Sequence, residues 1–267
     1  MTSNSKRVSR LLPAASILLA AGPWLSGQPA SDWRAPNSGF VHDAYAKAVR
    51  PVVGFLGAAH LGAPAAAAEW ASIAPRGNAG WLVSEGSLRF SPDLAKGEFA
   101  AMPDSWALPE QAIWAADGKA TLLASARELA LIRSDGGEQP RREAVFAPEA
   151  PGSLRLLGAS RDLSRVILAT RGGEEGPWQL LLWKPGEDPR SVGSAQDPTG
   201  ASFAARAEAA FVADAGAKQV LRIGLADGEE TVAVLDEGNG VNEPAGVLAS
   251  EDGARVHILE RSAHAVR

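Results

Sequence analysis

Cysteine is absent from the 267 residues, and tyrosine occurs once. The missing cysteine excludes disulfides, thiolate metal ligation, a thiol nucleophile and a lipid-modified cysteine anchor. Four histidines, His42, His60, His257 and His264, leave few groups for ordinary acid–base chemistry. The serines beside glycine (Ser84, Ser87, Ser153) show no G-x-S-x-G elbow, and no glycine loop carries the lysine a phosphate cradle needs. Gly172-Gly173-Glu174-Glu175-Gly176 lacks the ligand spacing of a calcium loop and reads as a flexible turn. There is no basic stripe: 26 basic and 31 acidic residues are interspersed, giving a net charge of −5. A nucleic-acid partner is not expected.

What is present is globular in character, with 46% apolar residues, 21% charged residues and 28 glycines. The length suits one all-β domain or two smaller ones. At the amino terminus Lys6, Arg7 and Arg10 precede the apolar run 11–22 (LLPAASILLAAG), which is short for a bilayer span. Residues 1–30 therefore read as an export signal cut between Gly27 and Ala30, and the protein is expected to be periplasmic or extracellular. No later segment is apolar enough over sufficient length to cross a membrane. Residues 31–46 read as a linker, and the alanine run Ala63–Ala68, interrupted by Pro64, as a loop with some helical tendency. Residues 47–267 then form the folded domain.

That domain repeats. A short strand, a tight polar turn and a very apolar strand recur, with the apolar strands centred on Leu82, Leu123, Leu168, Val212 and Ile258. The steps are 41, 45, 44 and 46 residues. After each of the first four, another strand runs into a Pro/Asp/Gly turn, as in Ser91-Pro92-Asp93 and Lys184-Pro185-Gly186. Four antiparallel strands in about 44 residues is the size of a propeller blade. Strands such as Val166-Ile167-Leu168 are apolar on both faces, so a lone sheet cannot hide them and must stack between neighbours. Small residues Ala115, Ala159, Ala204 and Ala249 fall where innermost strands would crowd. Trp81, Trp114 and Trp183 are expected to fill space between blades. The expectation is an all-β β-propeller of four-stranded blades with about five units visible. Its last unit runs out at its third strand, which leaves two solutions. Residues 48–57 supply the outer strand, since Ala48-Val49-Arg50 echoes Ala265-Val266-Arg267, or the intact protein has six or seven blades.

Residues 203–267 carry a further pattern. Val212-Ala213-Asp214-Ala215-Gly216 through Arg222-Ile223, then Asn242-Glu243-Pro244-Ala245-Gly246-Val247, then Ser250-Glu251-Asp252-Gly253, resemble the NHL-repeat and YncE-like (surface-layer or lactonase-like) propellers. The likeness implies fold and a range of extracellular binding roles, not an activity. Ala217 and Glu260 depart from the pattern; Glu260 stands where the preceding unit has Asp214.

A propeller collects ligands at the end where chains enter innermost strands and where second strands turn into third strands. That end holds the candidate binding residues Trp106, Arg127, Arg171, Asp214, Asn242, Glu243 and Arg261, together with Glu110, Glu174, Glu175 and His264. The expected role is binding or scaffolding of a protein or extracellular ligand, with no catalytic residue and no cofactor. The alternative is a lactonase-like hydrolase holding calcium in the central channel by Asn242 and Glu243, with Asp104 and Asp197 near other channel mouths. His257, inside an apolar strand, is expected to be packed.

Overall fold

Side-chain alternation along short strands sends odd and even residues to opposite faces of a sheet. When both sets are apolar, each sheet must be covered twice. The computed structural model describes residues 37–55, 57–75, 78–134, 139–148, 153–173, 176–225, 232–235, 241–261 and 265–266. Residues 1–30, expected to be an export signal, the expected linker positions 31–36, Glu174, Glu175 and His264 lie outside them.

Among the described residues, six antiparallel sheets follow one another along the chain. Sheet 1 has β1 (Asn37–Asp43), β2 (Ala48–Val53), β3 (His60–Leu61) and β4 (Ala66–Ala67). Sheet 2 has β5 (Trp70–Ile73), β6 (Gly80–Ser84), β7 (Ser87–Ser91) and β8 (Ala100–Ala101). Sheet 3 has β9 (Gln111–Trp114), β10 (Ala120–Ala124), β11 (Leu129–Arg133) and β12 (Arg141–Phe146). Sheet 4 comprises β13 (Ser153–Ala159), β14 (Val166–Arg171), β15 (Trp178–Trp183) and β16 (Arg190–Ala195). Sheet 5 comprises β17 (Pro198–Ala204), β18 (Ala209–Asp214), β19 (Gln219–Gly224) and β20 (Val232–Val234). Sheet 6 has β21 (Pro244–Ala249), β22 (Val256–Glu260) and β23 (Ala265–Val266). Sheets 2 to 6 are the five units of the sequence. Sheets 2 to 5 are simple meanders in chain order, and the chain is a β-propeller.

The alternation resolves as stacking requires. In β14, Val166 and Leu168 face back onto Leu122, Ala124 and Leu129 of sheet 3. The intervening Ile167 and Ala169 face forward onto Ala210, Val212 and Ile223 of sheet 5. Trp81 and Val83 meet Leu123 and Ile132 in the same way, and Phe211 meets Val256 and Ile258. Covering a leucine of this kind stabilises the fold by roughly 1.5–3 kcal/mol; sheets 2 to 5 gain on both faces, whereas Leu248 and Leu259 on the other face of sheet 6 are 65% and 49% exposed.

Neighbouring first strands are joined by hydrogen bonds. Trp114 Nε1 donates to Ser72 Oγ at 2.9 Å, and Leu156 N to Gln111 Oε1 at 3.1 Å. Thr199 Oγ1 donates to Pro244 O at 2.8 Å, and Ala249 N to Ser202 Oγ at 3.0 Å. The partners stand 42 to 47 residues apart, so the sequence period appears directly as a distance along the chain. Crowding is tightest where β13 passes β17: a Cβ built on Gly158 would lie 2.3 Å from Ala201 O. Ala159, Ala204 and Ala249 close these first strands, and Ala115 follows β9, as expected.

Three expectations are corrected. Residues 37–43 of the predicted linker form β1, because Ala46 N donates to Asp43 Oδ1 at 3.0 Å and turns the chain back to pair with β2. Phe40 then packs with Val49 and Leu82. Ala66–Ala67 is a strand beside β2, with no helix there. Residues 48–57 do not complete the last blade: β2 has β1 on one side and β3 and β4 on the other, so both its edges are taken by local partners.

The turns between first and second strands carry their own chemistry. In Ser160–Arg165 the Ser160 hydroxyl donates to Asp162 Oδ1 at 2.7 Å and accepts from Arg165 N at 3.0 Å. Ser250–Arg255 repeats this arrangement. Burial alone would raise the Asp162 carboxyl, but the Ser160 and Ser164 hydroxyls and the Ser164 N–H outweigh it, holding it below its ordinary 3.8. The Ser250 hydroxyl and Ala254 N–H lower Asp252 likewise. A depressed folded-state value means that the carboxylate's contribution is complete above the unfolded value and lost as pH falls through the folded one. Thermal midpoints measured from pH 5 to pH 2 should therefore fall, and Asp162→Asn should show a shallower fall than wild type. Equal slopes would refute the assignment.

Candidate functional site

Asp214 ends β18 and is fully buried. Its carboxylate accepts from Asp197 N at 2.8 Å and Gln196 N at 3.0 Å, the two residues that lead into β17. Gly216 completes the clip, since a Cβ there would meet Gln196 Cβ at 2.6 Å and Asp197 N at 3.0 Å. Glu260 repeats the arrangement in sheet 6: it is buried, and its Oε1 accepts from Asn242 N at 3.0 Å. The Asp214/Glu260 correspondence read from sequence is therefore a structural one, and both carboxylates hold an incoming loop rather than face a ligand. A buried carboxylate that accepts several N–H groups gives up little to a partner.

Arg155 of β13 reaches across to sheet 5, donating from one guanidinium nitrogen to Asp197 Oδ1 at 2.6 Å and to Pro198 O at 3.1 Å. Its guanidinium also lies 4.1 Å from the centre of the Trp178 ring, and that of Arg171 lies 4.7 Å from the same ring. Trp178 is buried beneath them. A guanidinium over an indole is attracted by the ring's negative face and held to a narrow range of positions. Arg171 and Arg155 thus form an ordered cationic pair, and Asp197 supplies a carboxylate at its edge.

Trp106 lies elsewhere, in the loop before β9. Its ring is 6.1 Å from that of Trp81, and the Arg142 guanidinium sits 4.7 Å from its centre. Arg142 in turn donates to Glu128 Oε1 at 2.8 Å. Trp106 is therefore a wedge between sheets 2 and 3, half-buried and occupied by its own chain. Arg127 is exposed at the tip of the β10–β11 turn. Asn242, Glu243 and Arg261 are exposed together at the mouth of sheet 6, where Arg261 N donates to Glu243 O at 3.0 Å.

The seven candidates thus separate. Asp214 and Trp106 are spent on the fold, Arg171 belongs to the cationic pair, and Arg127, Asn242, Glu243 and Arg261 point to solvent. Asp104 and Glu110 are also exposed, and Asp197 pairs with Arg155. Among the described residues no three His, Asp or Glu side chains gather as a metal ion would need. His257, expected to be packed, is exposed. The sequence reading missed Arg155 and Trp178. The available signal was an arginine within the otherwise apolar run Leu154–Leu157.

No protein-family model and no curated protein matches the chain. Solved structures do resemble it. Nidogen in a nidogen/laminin complex is 15% identical, with 85% of this chain and 86% of that one covered at a TM-score of 0.52. Hydrazine synthase of Kuenenia stuttgartiensis is 14% identical, covering 85% and 78% at 0.53. The β-propeller domain of Myceliophteria thermophila Cps50 (Swd1) is 11% identical, covering 83% and 76% at 0.54. At such identities the likeness establishes the β-propeller fold and nothing about activity.

Proposed function

We propose that the chain is an exported β-propeller that binds a protein or another extracellular ligand through the face built by its loops into first strands and its turns between second and third strands. The observation that carries this reading is the Arg155–Trp178–Arg171 group. Both cations are positioned before any partner arrives, which removes part of the ordering cost of binding. The exposed Arg127, Asn242, Glu243 and Arg261 extend the same face with both signs of charge. The resemblance to NHL-repeat and YncE-like propellers, and nidogen's structure in complex with laminin, agree with a binding role.

Export rests on residues 1–30 and is tested separately. Alkaline phosphatase, whose disulfides form only in an oxidising compartment, should be active when fused after residue 46 and inactive when residues 1–30 are deleted. Binding is tested with Arg127→Glu, Arg171→Glu and Glu243→Arg combined. Partners cross-linked to the wild-type protein in the extracytoplasmic fraction should be lost from this variant while its unfolding midpoint is kept. A partner retained at full yield would reject this face.

A further inference from the structure

Alanine ends the first strands of sheets 4, 5 and 6, at Ala159, Ala204 and Ala249. These side chains stop at Cβ, so the strand ends leave space beside the turns that follow. A pocket of about 640 Å³ occupies that space, within the ~300–1,000 Å³ range of small-ligand sites. Half-buried Phe203 and exposed Leu248 complete its apolar wall. In an antiparallel meander the turn from first to second strand lies at the opposite end from the loop that enters the first strand. The pocket is therefore remote from the loop face, and none of Arg127, Arg171, Asn242, Glu243 and Arg261 lines it.

Ionic groups of both signs stand around this wall. Arg161 of the sheet 4 turn pairs with Glu251 Oε1 of the sheet 6 turn at 2.8 Å, and Arg206 lies 3.7 Å from the other oxygen of that carboxylate. Asp162 is engaged by the Ser160 and Ser164 hydroxyls of its own turn. Arg165 and Glu208 differ. Both are fixed at the backbone: Arg165 N donates to Ser160 Oγ at 3.0 Å, and Glu208 O accepts from Leu225 N at 2.7 Å. Yet among the described residues the half-buried Arg165 guanidinium has no hydrogen-bond or ion-pair partner, and neither has the exposed Glu208 carboxylate. A guanidinium partly withdrawn from water and left unpaired gains from any carboxylate that reaches it.

We infer that this pocket binds a short apolar peptide with free termini, its carboxylate against Arg165, its ammonium against Glu208 and its side chains on Phe203 and Leu248. One unpaired cation and one unpaired anion beside a single apolar wall select a ligand that carries both charges and an oily body. A fatty acid would meet repulsion from Glu208, and an alkylamine would leave Arg165 unpaired. Burial of the side chains supplies the affinity, and the two charged ends set the direction. The site goes beyond the loop-face reading and does not depend on it.

Calorimetric titration of the full-length protein with the dipeptides Leu-Phe and Val-Leu tests it. Both should bind saturably, and the N-acetyl and carboxamide forms of each should bind at least tenfold more weakly. Arg165→Ala and Glu208→Gln should each weaken the free dipeptides at least tenfold, with Arg165→Lys restoring part of the loss. The combined Arg127→Glu, Arg171→Glu and Glu243→Arg variant should bind them as wild type does. Affinity for both dipeptides weaker than about 1 mM, equal binding of the capped forms, or undiminished binding by both Arg165→Ala and Glu208→Gln overturns the pocket. Loss of binding in the loop-face variant overturns it as well. The cross-linking result for that variant is read independently, so the failure of either reading leaves the other standing.

Discussion

Trp81→Ala should destabilise the protein by about 3–5 kcal/mol, the range for removing a fully buried aromatic side chain. Trp81 is completely buried in β6, its ring 4.7 Å from that of Phe90. Its Nε1 donates to Thr121 Oγ1 at 3.2 Å, so the side chain joins sheet 2 to sheet 3 by packing and by a hydrogen bond. Thr121 is itself buried, and removal of the indole leaves its hydroxyl without that donor. Trp106 rests on the same ring and would lose its support. Urea titration with an unchanged slope is the measurement. Trp81→Phe separates the two parts, since it keeps most of the packing and removes the hydrogen bond. A loss below about 1 kcal/mol for the alanine variant, well under the range expected for a buried aromatic, would mean that these two sheets do not depend on each other.

Gly158→Ala should be comparably damaging for the opposite reason. The added Cβ would sit 2.3 Å from the carbonyl oxygen of Ala201 and 2.8 Å from its carbon. Both obstacles are backbone, so no rotamer change relieves them, and β13 must move away from β17. Overpacking ordinarily costs about 1–3 kcal/mol, and a backbone obstacle belongs at the top of that range or above. The movement would also stretch the Arg155–Asp197 pair, which ties β13 to the residue leading into β17. Gly172→Ala is the control, because nothing lies within 4 Å of a Cβ there; its effect should stay within about 0.5 kcal/mol. Equal stability of the two variants would show that sheets 4 and 5 are not in this close contact.

The repeat was legible because each blade must satisfy the same two-sided burial, so the same apolar strand returns about every 44 residues. Sheet 1 escaped that reading for a physical reason. Its third and fourth strands, β3 and β4, are two residues each and both pair with β2, so it lacks the regular strand lengths that made the other units visible. Polar residues misled more than apolar ones. Asp214 and Glu243 look alike as acidic loop residues, yet one is buried against two backbone N–H groups and the other faces solvent. Which applies depends on whether the preceding blade's connection passes over it. Trp106 was taken as a binding candidate and Trp178 was passed over, because the arginine that covers each ring comes from another strand and is placed only by the fold.

The sequence by itself determined the strand chemistry, the period and therefore the stacked sheets, because these follow from local alternation and from turns that glycine, proline and aspartate impose. The tertiary structure alone decided which charges are buried clips and which arginines share a ring. Those outcomes depend on contacts between residues some 40 positions apart, whose geometry is set only when one blade lies against the next.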